Sequence, residues 1–244
     1  MTVANHVPGS FTKTHLCLGS ATYPDVDSLR AAMFPAISAG AHVVNYRGHG
    51  SVGRWASEPI MDTVDTIYWN NTNKPTIILS ADCLDAHFAW PGFPGLAETF
   101  VRYDFANNRH GSAAQWSSTG LGFTSEHTVL HAGFYDGVFA QYAQTIGGAI
   151  EYAKLNYFQL GLDESELYTF LLHGDPAMTL YWAPEPPPTP TPTHTPTLTN
   201  TPPPGASLTP TPTLTNTPPP GASLTPTPPP ILDEAVYLPI ILKP

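Results

Sequence analysis

Charged side chains are scarce in this sequence, with 9 Lys and Arg against 19 Asp and Glu in 244 residues and a net charge of −10. The basic residues form no run or stripe. A nucleic acid would find little here to neutralise its phosphates, and nucleic-acid binding is set aside. Long apolar runs are also missing, since none approaches the roughly 20 residues that a membrane-crossing helix needs. The opening residues Met1-Thr-Val-Ala-Asn-His have neither a basic n-region nor an apolar h-region, so no signal peptide is read in the chain. Only two cysteines are present, Cys17 and Cys83. One disulfide and two free thiols are equally compatible with that count, and position has to decide.

Proline is abundant but unevenly placed. Of 29 prolines, 19 fall between Pro184 and Pro230, a stretch dominated by Pro and Thr. Within it a 16-residue unit, Leu198–Thr213, recurs as Leu214–Pro229. Such a composition buries too little apolar surface to offset the entropy of ordering, and its prolines favour extended polyproline II. At about 3.1 Å per residue it would reach on the order of 145 Å as a semi-rigid spacer. The expected organisation is therefore one domain over residues 1–183, a disordered Pro/Thr-rich linker over 184–230 and a short apolar segment over 231–244. Val236–Leu242 reads either as a sorting or docking element or as an unstructured terminus. A long spacer gains a cytoplasmic protein little, and a Pro/Thr stalk ending in a short apolar segment resembles those of exported bacterial surface proteins, which implies an extracellular or cell-surface location.

Within 1–183 the periodicity alternates between strand and helix. Asp25 caps a helix expected over Val26–Ile37, which Pro35 should kink or end. Ala41–Tyr46 and Thr76–Ala81 are short continuous apolar runs bounded by turns, the pattern of strands buried on both faces of a parallel sheet. A short helix is expected around Thr63–Trp69, another over Gly95–Phe105, and a third strand over Gly111–Trp116. Thr128–Asn156 reads as helix broken at Ile146-Gly-Gly, and Leu172–Tyr181 closes the domain. The class is α/β with a mostly parallel central sheet.

Functional groups collect at the carboxyl ends of the strands in such a sheet. The first central strand runs into Arg47-Gly-His49-Gly50 and the second into Ser80-Ala-Asp-Cys83. If the strands are neighbours, an imidazole and a thiol emerge at one edge. An imidazolium lowers a cysteine pKa, the thiolate is a strong nucleophile, and the imidazole can then protonate a leaving amine. The backbone N–H groups of Gly50 and Cys83 are candidates for holding an oxyanion. A lone strand-end cysteine is usually a small buried hydrophobe, and a histidine among glycines is often a turn residue. The pairing at matched strand ends is what favours chemistry. His127 and His131 are spaced i, i+4, but no Glu follows His127 and no third ligand is evident, so no metal is expected.

The segments Asn45-Tyr-Arg-Gly-His-Gly-Ser with Trp55, Pro75 through Phe88, Gly95-Leu-Ala-Glu-Thr-Phe, Ser117-Ser-Thr-Gly-Leu-Gly and Gly174-Asp-Pro-Ala-Met-Thr-Leu-Tyr together resemble the gingipain family of cysteine peptidases, peptidase family C25. The resemblance runs in order from about Gly19 to Tyr181. It implies a caspase-like three-layer sandwich, His49 as catalytic histidine and Cys83 as catalytic cysteine. It also implies hydrolysis of protein or peptide substrates without a cofactor, and a substrate pocket lined by Trp116, while His87, by its position past the strand end, is expected as a wall of the same cleft. The caspase-proper signature Gln-Ala-Cys-Arg-Gly is absent. Members of the family carry a further subdomain ahead of the helix at Val26, for which this sequence has no room. The match is to the catalytic half, whose expected partners are an upstream peptidase subdomain or a cell-surface component. The alternative reading is a truncated, inactive peptidase-like module that serves binding or surface assembly.

Overall fold

The two unbroken apolar runs become adjacent parallel strands at the centre of a six-stranded sheet. The computed structural model describes residues 3–102, 111–187 and, for the backbone alone, 237–243. Its strands are β1 (Thr12–His15), β2 (Val43–Arg47), β3 (Gly50–Ser51), β4 (Arg54–Trp55), β5 (Met61–Asp62), β6 (Thr76–Ala81), β7 (Ser112–Ser118), β8 (Phe170–His173) and β9 (Tyr237–Lys243). The α-helices are α1 (Val26–Ser38), α2 (Leu96–Arg102), α3 (Thr124–Phe139), α4 (Ile146–Gln159) and α5 (Ser165–Thr169), and two 3-10 helices cover Val3–His6 and Thr63–Tyr68. The sheet order is β1-β9-β2-β6-β7-β8, with β2, β6 and β7 parallel and β8 antiparallel to β7.

Strand residues point alternately to opposite faces, and this chain has apolar groups on both. Val43, Ile77, Leu79, Ala114 and Trp116 join one core with Leu130 and Phe134 of α3 and Ala149 and Ala153 of α4. Val44, Tyr46 and Ile78 join the other with Leu29, Met33 and Ile37 of α1 and Leu96 and Phe100 of α2. The result is a three-layer sandwich. Each fully buried large aliphatic or aromatic side chain contributes roughly 1.5–3 kcal/mol through lost contact with water. No described helix is long and apolar enough to cross a membrane.

Several elements differ from expectation. Asp25 and Ser28 form a capping box at the start of α1, and the helix ends at Ser38, one residue past the expected Ile37 and three beyond Pro35. A proline in the last turn removes only its own donor, and Ala39 N–H still closes the helix on the Pro35 carbonyl. The long helical stretch breaks at 140–145 and not at Ile146-Gly-Gly. Thr145 caps α4 by accepting from Gly148 N–H, which places both glycines inside its first turn. The glycine-rich loop after β2 holds a small antiparallel sheet, β3-β4-β5. Residues 103–105 of the expected α2 helix, and all of the linker beyond 187, lie outside the described residues.

The largest difference is at the C-terminus. Tyr237–Lys243, read from sequence as a docking element or loose end, is strand β9, antiparallel to β1 on one side and β2 on the other. Its Pro239 falls where the pairing with β2 shifts register between Asn45 and Arg47, a position that needs no ladder donor. Among the described residues β1 pairs with no other strand. A chain ending before Tyr237 would leave β1 unpaired and one edge of β2 open. Its melting temperature is expected to fall by about 5–10 °C, at roughly 2–4 °C per kcal/mol for a domain of this size. Thermal denaturation of the two chains gives the answer, and an unchanged midpoint would mean that β9 adds nothing to the sheet.

Candidate active site

The register of β2 against β6 decides the geometry. Val43 pairs with Ile77 and Arg47 with Ala81, so both strands end at the same level. The loop bearing His49 and the loop bearing Cys83 therefore leave the sheet side by side. Contact between them is immediate. A Cβ on Gly50 would collide with the Asp82 carboxyl and lie 2.6 Å from the Cys83 carbonyl oxygen. Only glycine lets the two loops approach so closely.

His49 is held by its backbone and its ring is exposed. Its carbonyl accepts from the Tyr46 hydroxyl at 2.7 Å and from Ala56 N–H at 2.7 Å. Tyr46 itself stacks on Trp55 with ring centroids 4.4 Å apart, a firm base under the loop. The Ala56–His49 bond makes the next pair, Gly50 and Trp55, a non-hydrogen-bonded one in the β3–β4 ladder. The Gly50 N–H thus takes no part in that ladder and is free for another acceptor. No side chain among the described residues hydrogen-bonds the His49 imidazole.

Cys83 is half-buried and, like Cys17, takes part in no disulfide. Its S–H donates to the Gly122 carbonyl at 3.6 Å, and no hydrogen bond joins it to His49. Leu84, the next residue, has a left-handed backbone with φ of 67°, and its N–H donates to the Gly120 carbonyl at 3.1 Å. Ala86 N–H donates to Ser118 O at 3.1 Å. The nucleophile loop is thus laced to the loop that follows β7. His87 belongs to the same lacing, its Nδ1 lying 3.2 Å from the Thr119 carbonyl.

Two carboxyls lie fully buried beneath this loop. Asp85 accepts from Trp55 Nε1–H at 3.0 Å and from Gln115 Nε2–H at 2.7 Å. Neither oxygen of Asp82 has a well-formed hydrogen bond. Burial pushes both pKa values upward, and the charge of Asp85 adds to the rise at Asp82, which goes well above the usual carboxylate range. The donors on Asp85 favour its ionised form and offset part of its rise, so Asp82 is the carboxyl pushed further upward.

A second buried group braces the site from the other side. His127 Nε2 lies 2.8 Å from Glu166 Oε2, both side chains being buried, and Glu166 Oε1 accepts from Phe123 N–H at 3.3 Å. A Cβ on Gly122 would overlap Glu166 Oε1 and His127 Nε2. The pair therefore backs the carbonyl that receives the Cys83 thiol. Sequence reasoning weighed His127 only as a metal ligand and gave Glu166 no part. Their spacing of 39 residues carries no local signal, although Gly120-Leu-Gly marked the loop they support.

Other candidates are placed differently. Trp116, expected as a pocket wall, is completely buried. It packs against Phe134 and edge-on to Phe170, because its alternation in β7 turns it into the α3–α4 layer. His131 lies in the same layer, 3.4 Å from Asn45 Oδ1, and burial with His127 nearby pushes its pKa down to about 3. It is a neutral core residue. Among the described residues no cluster of three or more His, Cys, Asp or Glu side chains is arranged to hold a metal.

Residues 5–181 match the family model described as peptidase family C25. Among solved structures, the chain is similar to the Arg-specific cysteine proteinase gingipain R, at 21% identity and a TM-score of 0.57, covering 62% of this chain and 36% of that one. It is also similar to a complex of Porphyromonas gingivalis RgpB pro- and mature domains, at 20% identity and a TM-score of 0.55, covering 64% and 38% respectively. At these identities the likeness establishes the caspase-like fold. The chain spans little more than a third of the length of either neighbour. No curated protein matches it.

Proposed function

This chain belongs to peptidase family C25, and on that premise we propose that it is the catalytic part of a cysteine endopeptidase, with Cys83 as nucleophile and His49 as acid and base. The observation that carries the reading is the meeting of the two loops: His49 and Cys83 follow neighbouring parallel strands of matched register, with Gly50 packed on the Asp82 carboxyl and the Cys83 carbonyl.

The chemistry runs as follows. On substrate binding the Cys83 S–H leaves the Gly122 carbonyl and passes its proton to His49. The thiolate attacks the scissile carbonyl carbon, and the oxyanion takes hydrogen bonds from the Gly50 and Cys83 N–H groups. His49 returns the proton to the leaving amine as the C–N bond breaks. Water, deprotonated by His49, then cleaves the acyl-thioester. A bare apo hydrogen bond between the pair is no requirement, since such contacts often tighten only with substrate present. The group that orients the His49 imidazole comes, in this reading, from an upstream peptidase subdomain or a cell-surface component. The Pro/Thr-rich composition of residues 184–230 supports action outside the cytoplasm, at the end of a spacer.

One observation favours the alternative, an inactive peptidase-like module: the Cys83 S–H donates to the Gly122 carbonyl and not to His49. A peptide-like electrophile separates the two. Under the catalytic reading, the native full chain takes up one equivalent, at Cys83 and not Cys17. Labelling is lost in Cys83→Ala and in denaturant. Equal labelling of the two thiols, read by peptide mass spectrometry, would support the module instead.

A further inference from the structure

Beside the loops that bear His49 and Cys83 the surface falls into a hollow of about 570 Å³. Its inner wall is continuous with the candidate site: Leu84 follows Cys83, and Ser51 and Val52 follow Gly50. Its outer wall is the turn Trp90-Pro-Gly-Phe93, closed by Phe93 N–H donating to the Trp90 carbonyl at 3.2 Å. The two aromatic rings stand 5.9 Å apart and are about half exposed, Trp90 at 59% and Phe93 at 48%. Large rings left in water at this level, side by side, lack the partner that their apolar area calls for.

The hollow is built rather than incidental. Phe93 seats its ring on Gly53, where a Cβ would stand 3.1 Å away. Leu96 N–H donates to the Val52 carbonyl at 2.7 Å and ties the outer wall to the inner one. The charge in it is spoken for. Asp62 caps the 3-10 helix through Val64 N–H, accepts from the Thr63 hydroxyl at 3.0 Å, and has Arg54 Nε 3.9 Å away. Among the described residues no unpaired carboxylate lines the hollow to receive a guanidinium or ammonium group, and Arg54 would repel one.

We infer that this hollow is a substrate subsite that takes an aromatic or large aliphatic side chain flanking the scissile bond, and that it disfavours a basic one. The inference rests on the catalytic reading for its position beside the nucleophile. The binding itself does not depend on turnover. Ligand pockets are apolar with a few fixed polar groups at the rim, the composition found here.

The test uses the full chain with Cys83→Ala and two capped hexapeptides identical but for a central Phe or Arg. Calorimetry is expected to show the Phe peptide binding about tenfold tighter, the scale of discrimination an apolar pocket supplies. Trp90→Ala with Phe93→Ala should erase that preference, and both sites are exposed enough that the fold should survive, as the melting temperature will show. Arg54→Ala should recover binding of the Arg peptide, because Asp62 is then left uncompensated. With the active chain the same pair of peptides reports through KM. Equal or stronger binding of the Arg peptide, or a Phe preference unmoved by the aromatic replacements, overturns the subsite whether or not either peptide is cleaved. Binding that behaves as expected, with neither cleavage nor selective electrophile labelling at Cys83, leaves the subsite standing and removes the catalytic reading.

Discussion

Cys83→Ala and His49→Ala are each expected to lower peptidase activity by at least about a thousandfold, with the double variant no worse than the single ones. Groups that act as one unit in catalysis lose nearly everything with the first deletion, and the second adds little. The fold should tolerate both changes. The two hydrogen bonds that anchor His49 are made by its backbone carbonyl, so truncating the exposed ring leaves them intact. Cys83 gives up a single weak S–H bond to Gly122 and a small volume. Melting temperatures within about 3 °C of the parent are expected, as for substitutions costing no more than about 1 kcal/mol. The measurement is kcat/KM on a fluorogenic peptide, with the parent chain shown to be active in parallel. More than about a tenth of the activity surviving in either variant would rule the pair out as a catalytic unit.

Gly122→Ala is expected to damage both stability and activity, although Gly122 carries no reacting group. The added methyl would overlap Glu166 Oε1 and His127 Nε2. Neither can retreat: both side chains are buried, and the His127 ring is packed edge-on to Phe170 at 4.8 Å. The loop must move instead, and this is the loop whose carbonyl receives the Cys83 thiol. Overpacking of this kind costs about 1–3 kcal/mol. A displacement of the nucleophile by about 1 Å costs on the order of a hundredfold in rate. The two effects are read separately, by thermal denaturation and by the rate of electrophile labelling at Cys83 at a temperature where the variant is fully folded. Normal labelling together with an unshifted melting temperature would show that the His127–Glu166 pair does not position the thiol.

Much of the fold was legible because its signals are local. The Asp25 cap starts α1 at the expected residue. Thr76–Ala81 is strand over the whole expected span, as unbroken apolar residues between turns require when both faces are covered. Pro35 sits in the last turn with only three helical residues after it, and α1 ends within one residue of the expected Ile37. The break between α3 and α4 was placed too late because glycine was taken as a stop, whereas Thr145 supplies a cap that makes both glycines part of a first turn.

From residue pattern alone came the α/β class, the two buried strands, and the appearance of His49 and Cys83 just past their ends. Those follow from periodicity and from the chemistry of single residues, which a chain carries wherever it is read. The tertiary structure alone decided what depends on distance through space. It set β2 beside β6 in a register that makes the loops meet at Gly50. It turned Trp116 inward, since which face of β7 meets α3 and α4 is set by packing and not by the strand itself. It brought Glu166 behind Gly122 from 44 positions along the chain and laid Tyr237–Lys243 between β1 and β2. Contacts between residues far apart in sequence leave no periodic trace, because they are selected by the shape of a finished core.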